Sequence, residues 1–315
     1  MSKYSSDTVI TDNMALLHSE QCSAAERRLV QLRELALKAV RDSSVIFGEN
    51  RVTDFAALFD GASPIEDASE EAYSYLTTQK ASTDFLDKLT VCSIIAKELS
   101  NKGTSLLENL LDLKPYEKNV KIAYFKNAYA DAAFRQFSEV LDNPSVTYAS
   151  DFNAVCEEVY HGRADMCILP LDSSRDAKLI SFYRLIDKYE LSPIYSCDVT
   201  TPDGSVTTRY ALCKKSMALP DRSKLNEGRS CFFEFNVDPD DGASLCDVLS
   251  GARACGMSLY KIDSIPLAYS ESEFACNIIL EIGDSHGLDT FVLFLTLAIP
   301  QYEPLGIYPH IRTEE

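Results

Sequence analysis

The C-terminal quarter of this sequence constrains the fold most, because strand and helix signals follow one another there in a regular order. Phe232–Val237 alternates as a half-buried strand, and Ala243–Ala254 has helical spacing. Leu259–Ile265 and Phe274–Ile282 have strand patterns, and Leu288–Ala298 has the pattern of an amphipathic helix. A short last strand follows. The order βαββαβ predicts a ferredoxin-like unit over residues 228–312.

Upstream, residues 119–215 alternate strands with helices. Predicted strands are Val120–Phe125, Ser145–Ala149 and Met166–Leu171, and predicted helices are Tyr129–Leu141 and Phe152–His161. This alternation predicts a single parallel α/β lobe with right-handed crossovers. A helix at Lys178–Lys188 and a hairpin turning at Thr201–Ser205, which contains Pro-Asp-Gly, complete the lobe.

Residues 1–115 have helical spacing and two capping boxes, Ser23–Glu26 and Asp67–Glu70. The first box should open a helix that continues to Gly48. The predicted fold class is therefore α/β and α+β in one multidomain chain. It combines a helical domain at 1–115, an α/β lobe at 119–215 and a ferredoxin-like domain at 228–312.

Composition excludes several classes of function. A net charge of −18 would repel a phosphate backbone, so we expect no nucleic-acid partner. No stretch approaches the ~20 apolar residues of a membrane span, and the first residues lack the apolar core of a signal peptide. We therefore expect a cytoplasmic protein without a membrane partner.

The cysteines and histidines show no metal-ligand spacing. The ten cysteines are scattered, without a C-x-x-C pair, and several lie in apolar runs. The four histidines are also scattered. We expect reduced thiols in the core, and neither a metal nor another cofactor.

The C-terminal quarter also carries a spaced set of motifs. These are Gly242-Ala243-Ser244-Leu245, Val248-Leu249, Gly256–Pro266 and Leu305-Gly306-Ile307-Tyr308-Pro309. The set resembles the ACT domain of prephenate dehydratases, which shows P-G-A-L, V-L, G-I-N-L-T-K-I-E-S-R-P and L-G-S-Y-P at the same spacing. The resemblance implies a domain that binds an amino acid such as phenylalanine and forms a homodimer.

Two upstream segments resemble the catalytic domain of the same family. Gly162–Ser174 is similar to G-x-A-D-x-x-x-x-P-I-E-N-S, and Thr208-Arg209-Tyr210 is similar to T-R-F. The resemblance implies that residues 119–215 form one half of a periplasmic-binding-protein-like domain. It also implies a carbon–oxygen lyase activity, in which prephenate gives phenylpyruvate, water and carbon dioxide.

The implied site residues form two groups. The catalytic group is Thr208, Arg209, Asp172, Ser173 and Ser174. Arg209 would bind a substrate carboxylate, the group at 172–174 would meet a second anion at a helix N-terminus, and Thr208 would assist departure of the hydroxyl. The effector-binding group is Ala243, Ser244, Leu245, Asp263, Ser264 and Pro266.

Taken without the family, these residues have ordinary structural explanations. Asp172–Ser174 would cap a helix, and Thr208–Tyr210 would lie within a strand. Several cations in residues 1–115 also allow two interpretations. They either belong to a degenerate chorismate mutase domain, which some relatives carry at this place, or form a solvated helix face. These cations are Arg27, Arg28, Arg33, Lys38, Arg41 and Arg51.

The sequence departs from the family where the catalytic segments are joined. Only residues 175–207 separate them, whereas the dehydratases have a whole second α/β lobe there. The cleft should therefore have one wall, which would neither exclude water nor position a substrate. In the C-terminal motifs, Ala243 replaces a glycine and Ile265 replaces an arginine.

Three functional hypotheses follow. The favoured one is a catalytically silent protein that binds an amino acid and regulates aromatic amino-acid biosynthesis through its ACT-like domain. The second is an active prephenate dehydratase, with or without mutase activity, whose missing wall comes from another subunit. The third is an assembly module for other enzymes of that biosynthesis.

Overall fold

The computed structural model describes residues 6–60, 80–111, 113, 119–219, 230–238, 245–266, 274–283, 285–299 and 302–311. The chain divides into two compact units, Met1–Thr104 and Ser105–Glu315. Across the described ranges, none of the helices is long and apolar enough to span a membrane.

In the first unit the described residues are mainly helical, as the sequence predicts. Its helices are α1 (Ser6–Arg41), α2 (Ser44–Phe47), α3 (Arg51–Ala57) and α4 (Lys80–Asn101). Between α1 and α4, Arg28 Nη2 lies 2.6 Å from Asp87 Oδ2.

The predicted helix boundaries in the first unit need two corrections. Ser23 lies inside α1 rather than at its start, because residues 6–41 contain no glycine or proline to end the helix earlier. Helix α1 also ends before Gly48, at Arg41. Directly after it, Asp42 accepts hydrogen bonds from the backbone N–H and the hydroxyl of Ser44. The second capping box, Asp67–Glu70, lies outside the described residues.

The second unit begins with the short helix α5 and continues into the α/β lobe. Its elements are α5 (Leu106–Leu111), β1 (Lys121–Phe125), α6 (Ala128–Ser138), β2 (Ser145–Ala149), α7 (Phe152–Tyr160), β3 (Met166–Ser173), β4 (Ala177–Lys178), α8 (Ile180–Lys188), β5 (Ser192–Thr200) and β6 (Thr207–Lys214). Strands β2, β1 and β3 pair in parallel, as predicted. The lobe becomes mixed at β6, which is antiparallel to both β3 and β5.

The predicted hairpin turn joins β5 to β6. Gly204 has a φ of +71°, a conformation that its missing Cβ permits. Its N–H donates to the carbonyl of Thr201 at 2.8 Å, and Asp203 accepts from the backbone and the hydroxyl of Ser205. The whole interval between Ser174 and Thr207 is described, and it holds only β4, α8, β5 and this turn. No second α/β lobe interrupts these residues.

The C-terminal region has the predicted βαββαβ order. Its elements are β7 (Cys231–Val237), α9 (Leu245–Ala254), β8 (Met257–Pro266), β9 (Phe274–Ile282), α10 (Ser285–Ala298) and β10 (Tyr302–Ile311). The strands lie in the order β10-β7-β9-β8, all antiparallel. In the numbering of the unit itself this order is 4-1-3-2, the ferredoxin-like arrangement.

Strand β7 differs from its prediction as a half-buried strand. Six of its seven residues are buried, including Glu234 between two phenylalanines. Strands β10 and β9 pair with its two edges. On one face Phe291 of α10 packs against Phe233 and Phe235, and on the other side chains of the lobe contact Glu234. This double burial places a charge inside the protein.

The two predicted domains at 119–215 and 228–312 share one sheet. The end of β10 pairs in parallel with β5, where His310 is opposite Ser196. The ten-stranded sheet therefore runs from β2 to β8 without interruption of the pairing. At this junction Gly306 allows a close approach, since a Cβ there would lie 2.6 Å from the carbonyl oxygen of Pro193. The glycine of the last motif thus has a packing role.

Nine cysteines lie among the described side chains, and all are free. Cys246 is exposed, Cys255 and Cys276 are intermediate, and the other six are buried. Burial raises the pKa of Cys231 to about 12 and that of Cys255 to about 11. These thiols therefore have little thiolate character. Within the described ranges, no group of three or more histidine, cysteine, aspartate or glutamate residues could hold a metal ion.

Candidate functional site at the junction of the lobe and the ferredoxin-like unit

The catalytic residues predicted from the sequence lie close together. Strands β3 and β6 are antiparallel neighbours, and their register places Asp172 opposite Arg209 and Ser173 opposite Thr208. Ser174 follows directly after β3. Directly opposed residues of an antiparallel pair share a face of the sheet, so Asp172 and Arg209 point to the same side. That side faces the ferredoxin-like unit.

The serines do not sit at a helix N-terminus, contrary to the prediction. Ser173 Oγ accepts backbone N–H groups of Arg175 and Asp176, at 3.2 and 3.4 Å. The chain then forms the two-residue strand β4, so α8 begins only at Ile180. Ser174 Oγ accepts the N–H of Thr207 at 3.0 Å. The two hydroxyls therefore stabilise a tight turn.

Arg209 is buried, with 7% of its surface exposed. Its Nη2 donates to the Tyr260 hydroxyl at 2.5 Å, and its Nε donates to Asp198 Oδ1 at 3.4 Å. The guanidinium carbon lies 4.7 Å from the centre of the Tyr260 ring and 5.4 Å from that of Phe232. Both rings belong to the ferredoxin-like unit. The guanidinium is thus enclosed by that unit.

Asp172 also contacts the ferredoxin-like unit, through Lys261. Lys261 Nζ donates to Asp172 Oδ1 at 2.6 Å and also lies 3.2 Å from Asp263 Oδ2. Burial alone would lower the pKa of Lys261, but the hydrogen bond and charge of Asp172, with those of Asp263, raise it overall. Lys261 is therefore a cation that links the lobe to β8.

Glu234 is fully buried, with 0% of its surface exposed. The Tyr183 and Tyr308 hydroxyls donate to its two oxygens at 2.8 and 2.7 Å. Burial and the neighbouring Glu234 charge raise the pKa of both tyrosines well above the usual value, so both remain protonated donors. Lys178 Nζ supplies a third donor at 3.4 Å.

Lys178 connects Glu234 to two further residues of the ferredoxin-like unit. Its Nζ donates to Asn277 Oδ1 and lies 3.8 Å from Asp263 Oδ2. The same Nζ is 3.8 Å from the centre of the Tyr183 ring. Only 4% of the Lys178 side chain is exposed. A buried charge is costly unless it is paired and hydrogen-bonded. The contacts of Lys178 therefore favour the packing of the lobe against the ferredoxin-like unit.

We call these eight residues the interface cluster. They are Asp172, Lys178, Tyr183, Glu234, Lys261, Asp263, Asn277 and Tyr308. The ionisable acids and lysines alternate from Asp172 through Lys261, Asp263 and Lys178 to Glu234. Three residues come from the lobe and five from the ferredoxin-like unit. The cluster therefore places paired charges between β3 and the ferredoxin-like unit.

The structure describes four of the six effector-binding residues predicted from the sequence. Ala243 and Ser244 lie outside the described residues. Leu245 is the first residue of α9, Ser264 is exposed, and Pro266 ends β8. Asp263 instead joins the interface cluster, where it meets Asp172 across Lys261. A predicted effector residue and a predicted catalytic residue thus share one lysine.

Most of the interface cluster could not be predicted from the sequence. Lys178 lies 56 and 99 residues from its partners Glu234 and Asn277, beyond any periodic pattern. One signal was present, since Glu234 stands between phenylalanines in a strand that is otherwise almost wholly apolar. A lone charge there indicates a buried partner.

A serine, a histidine and an aspartate also meet at the junction. Ser196 Oγ lies 3.0 Å from His310 Nδ1, and His310 Nε2 lies 3.6 Å from Asp198 Oδ2. The residue types match those of a nucleophilic triad. Ser196 is nevertheless completely buried, so its hydroxyl cannot reach a substrate. We interpret the three residues as a support for the β5–β10 pairing.

Comparisons with known proteins gave matches among solved structures. A prephenate dehydratase from Streptococcus mutans has a TM-score of 0.49 and 19% identity, covering 61% of this chain and 100% of the other. For GqqA, a quorum-quenching acylase, the values are 0.45 and 22%, with coverages of 60% and 94%. For a prephenate dehydratase from Arthrobacter aurescens in complex with L-Phe they are 0.45 and 14%, with coverages of 60% and 90%. No protein-family model and no curated protein matches the sequence. These matches assign no activity to this chain.

Proposed function

We propose that this chain is a prephenate-dehydratase-like protein without dehydratase activity. In this proposal it binds an amino acid and regulates, or assembles, enzymes of aromatic amino-acid biosynthesis. The observation that carries the proposal is the burial of Arg209 and its hydrogen bond to Tyr260. This arginine matches the one that the T-R-F motif assigns to a substrate carboxylate, yet it is buried and held by Tyr260 of the same chain.

The chemistry of the reaction explains why this enclosure matters. Prephenate carries two carboxylates, so a dehydratase must offer open cations and donors to both. Here Arg209 contacts Tyr260 and Asp198, and Asp172 contacts Lys261. The serine hydroxyls serve a turn. A substrate would have to break several of these contacts before it reached the residues that resemble the catalytic set.

The binding of an amino acid is proposed from the C-terminal motifs and the ferredoxin-like unit that they form. The proposed site includes Leu245 and Ser264, and the ligand is phenylalanine or a close analogue. A homodimer through this unit is part of the proposal. Its support is β8, an edge strand whose side chains Leu259, Tyr260 and Ile262 are exposed. The free cysteines are compatible with a cytoplasmic location.

An assay of turnover tests the proposal. Purified full-length protein is incubated with prephenate, and phenylpyruvate is measured against a buffer blank and an active dehydratase. We expect no phenylpyruvate above the blank, because the cation that would hold the substrate is enclosed. Robust turnover would contradict the proposal. It would favour the alternative of an active dehydratase whose second wall comes from another subunit.

Calorimetry tests the regulatory part. Phenylalanine, tyrosine and a non-aromatic amino acid are titrated separately into the wild-type protein. We expect saturable binding of phenylalanine that weakens when Leu245 is changed to alanine. If none of the amino acids binds, the regulatory function is wrong and the assembly function is left.

A further inference from the structure

Strand β2 forms the edge of the sheet opposite to β8. Within the described ranges it pairs with β1 alone, in consecutive register without a bulge. Its sequence is Ser-Val-Thr-Tyr-Ala, with residues of high β-propensity at the centre and no charged residue. Ser145 and Tyr148 are exposed, Tyr148 by 54% of its surface. Edge strands are often protected by a lysine, a proline or a bulge, and β2 contains none of these.

The pairing with β1 shows which backbone groups of β2 face outward. The N–H of Ser145 donates to the carbonyl of Val120 at 2.9 Å, so the backbone groups of Ser145 face β1. Successive residues of a strand direct their N–H and C=O groups to opposite sides. Val146 and Tyr148 therefore direct two N–H and two C=O groups away from the sheet. Such a row of groups is a template for another strand.

These four groups are complementary to a second copy of the same strand. In an antiparallel ladder, the two residues of a hydrogen-bonded pair exchange both of their N–H···O=C bonds. With Thr147 on a twofold axis, Val146 of each copy is opposite the partner's Tyr148, and all four outward groups are bonded. An aromatic residue opposite a β-branched one is also a favourable cross-strand pair. Because β2 is centred on Thr147, no other register pairs its whole length.

The charge of the chain also favours this edge for contact between two copies. Molecules with a net charge of −18 repel each other, so a neutral strand is a suitable place for them to meet. One cation lies close by, since Lys126 Nζ is 4.7 Å from the centre of the Tyr148 ring. Lys126 follows β1 just beyond the pair Phe125–Ala149. The two copies of Lys126 would therefore be about 20 Å apart along the strands, beyond the screening length of about 8 Å.

We propose that β2 is a self-association surface, on which a second copy of this chain adds its own β2 in antiparallel register about Thr147. The sheet of one copy then continues into the sheet of the other. This inference goes beyond the proposed function and does not depend on it. Since β2 and β8 lie at opposite ends of the sheet, a dimer through the ferredoxin-like unit can form at the same time. The two contacts together give an assembly larger than a dimer.

Sedimentation equilibrium of the full-length chain tests the contact. Thr147→Lys places two like charges directly opposite each other at the twofold axis. We expect the dissociation constant of the β2 contact to rise at least about tenfold. At a concentration at which wild type is assembled through β2, the variant should have at most half the mass of wild type. This ratio holds with or without a dimer through β8.

Ser145→Lys is the matched control for Thr147→Lys. It adds the same charge to the same face of β2, but in the proposed register residue 145 is opposite the partner's Ala149. This variant should keep the mass of wild type. Thr147→Glu should dissociate as Thr147→Lys does. An equimolar mixture of these two variants should regain the wild-type mass, because opposite charges then meet at the axis.

Circular dichroism shows whether the charged variants fold. If they do not, Val146→Pro takes their place, because it removes an outward N–H and leaves the bonds to β1 intact. It should also halve the mass.

Two results would overturn the inference. One is an equal mass of wild type and the folded Thr147 or Val146 variants over the whole concentration range. The other is dissociation of Ser145→Lys to the same extent as Thr147→Lys, which would show that the register is wrong. Neither result bears on dehydratase activity or amino-acid binding, which the turnover assay and calorimetry test separately.

Discussion

Replacing Glu234 with alanine is expected to destabilise the second unit by about 3–5 kcal/mol, because one partner of a buried ion pair is removed. Lys178, with 4% of its side chain exposed, would lose its carboxylate. The Tyr183 and Tyr308 hydroxyls would lose their acceptor as well. Urea unfolding followed by circular dichroism measures the change, since the chain has no tryptophan.

Two variants make this result specific. Glu158→Ala removes the acid of a more exposed pair with Arg163 and should change the free energy of unfolding by less than about 1 kcal/mol. A double variant, Lys178→Met with Glu234→Leu, replaces both buried charges by apolar groups and should be more stable than Glu234→Ala, because no unpaired charge is left. The Tyr183 and Tyr308 hydroxyls still lack their acceptor, so the recovery should be partial. A loss below about 1 kcal/mol for Glu234→Ala would show that the buried network is not formed.

Replacing Arg209 with methionine is expected to lower the free energy of unfolding by about 2–3 kcal/mol. The variant loses the hydrogen bond to Tyr260, the contact with Asp198 and the two aromatic contacts. An arginine held ready for a substrate would behave differently, since residues kept for catalysis often cost stability and their replacement is tolerated. The sign of this change therefore separates a structural arginine from a substrate-binding one.

Arg163→Met is the matched control. Arg163 also forms an ion pair, with Glu158 Oε1 2.8 Å from its Nε, but 53% of its side chain is exposed. Its replacement should change stability by no more than about 0.5 kcal/mol. Equal effects of the two methionine variants would contradict the enclosure of Arg209.

Much of the fold follows from local sequence patterns. Phe274–Ile282 and Ser145–Ala149 are strands with the predicted bounds, because composition and flanking residues mark both ends. The hairpin turn at Gly204 also follows from local chemistry. The proximity of Asp172 and Arg209 was implied by the family motifs and is produced by the pairing of β3 with β6.

The junction could not be predicted in this way. The pairing of β10 with β5 joins His310 to Ser196, which lie 114 residues apart, and no periodicity records such a contact. The contacts of the C-terminal unit with Asp172 and Arg209 could not be predicted either. The one-walled cleft was predicted from residues 175–207, whereas the covering residues Tyr260 and Lys261 come from the C-terminal unit of the same chain.

The same limit applies to single residues. The alternation of β7 predicted a half-buried strand, but long-range packing buries six of its seven residues, including Glu234. Asp263 was assigned to an effector by its place in a motif, and its carboxylate is directed to Lys261 and Lys178 instead. Burial by a distant element decides such roles, and local patterns do not contain that information.

The enclosure of the catalytic-like residues by the ferredoxin-like unit is tested most directly by a double-mutant cycle on Asp172 and Lys261. Their side chains are 12% and 26% exposed, so solvent weakens the pair only in part. Asp172→Asn, Lys261→Met and the double variant are unfolded in urea, and the coupling energy is calculated. We predict a coupling of about 1–2 kcal/mol. Effects that add to within about 0.3 kcal/mol would show that the two residues do not meet, and would contradict the closed site.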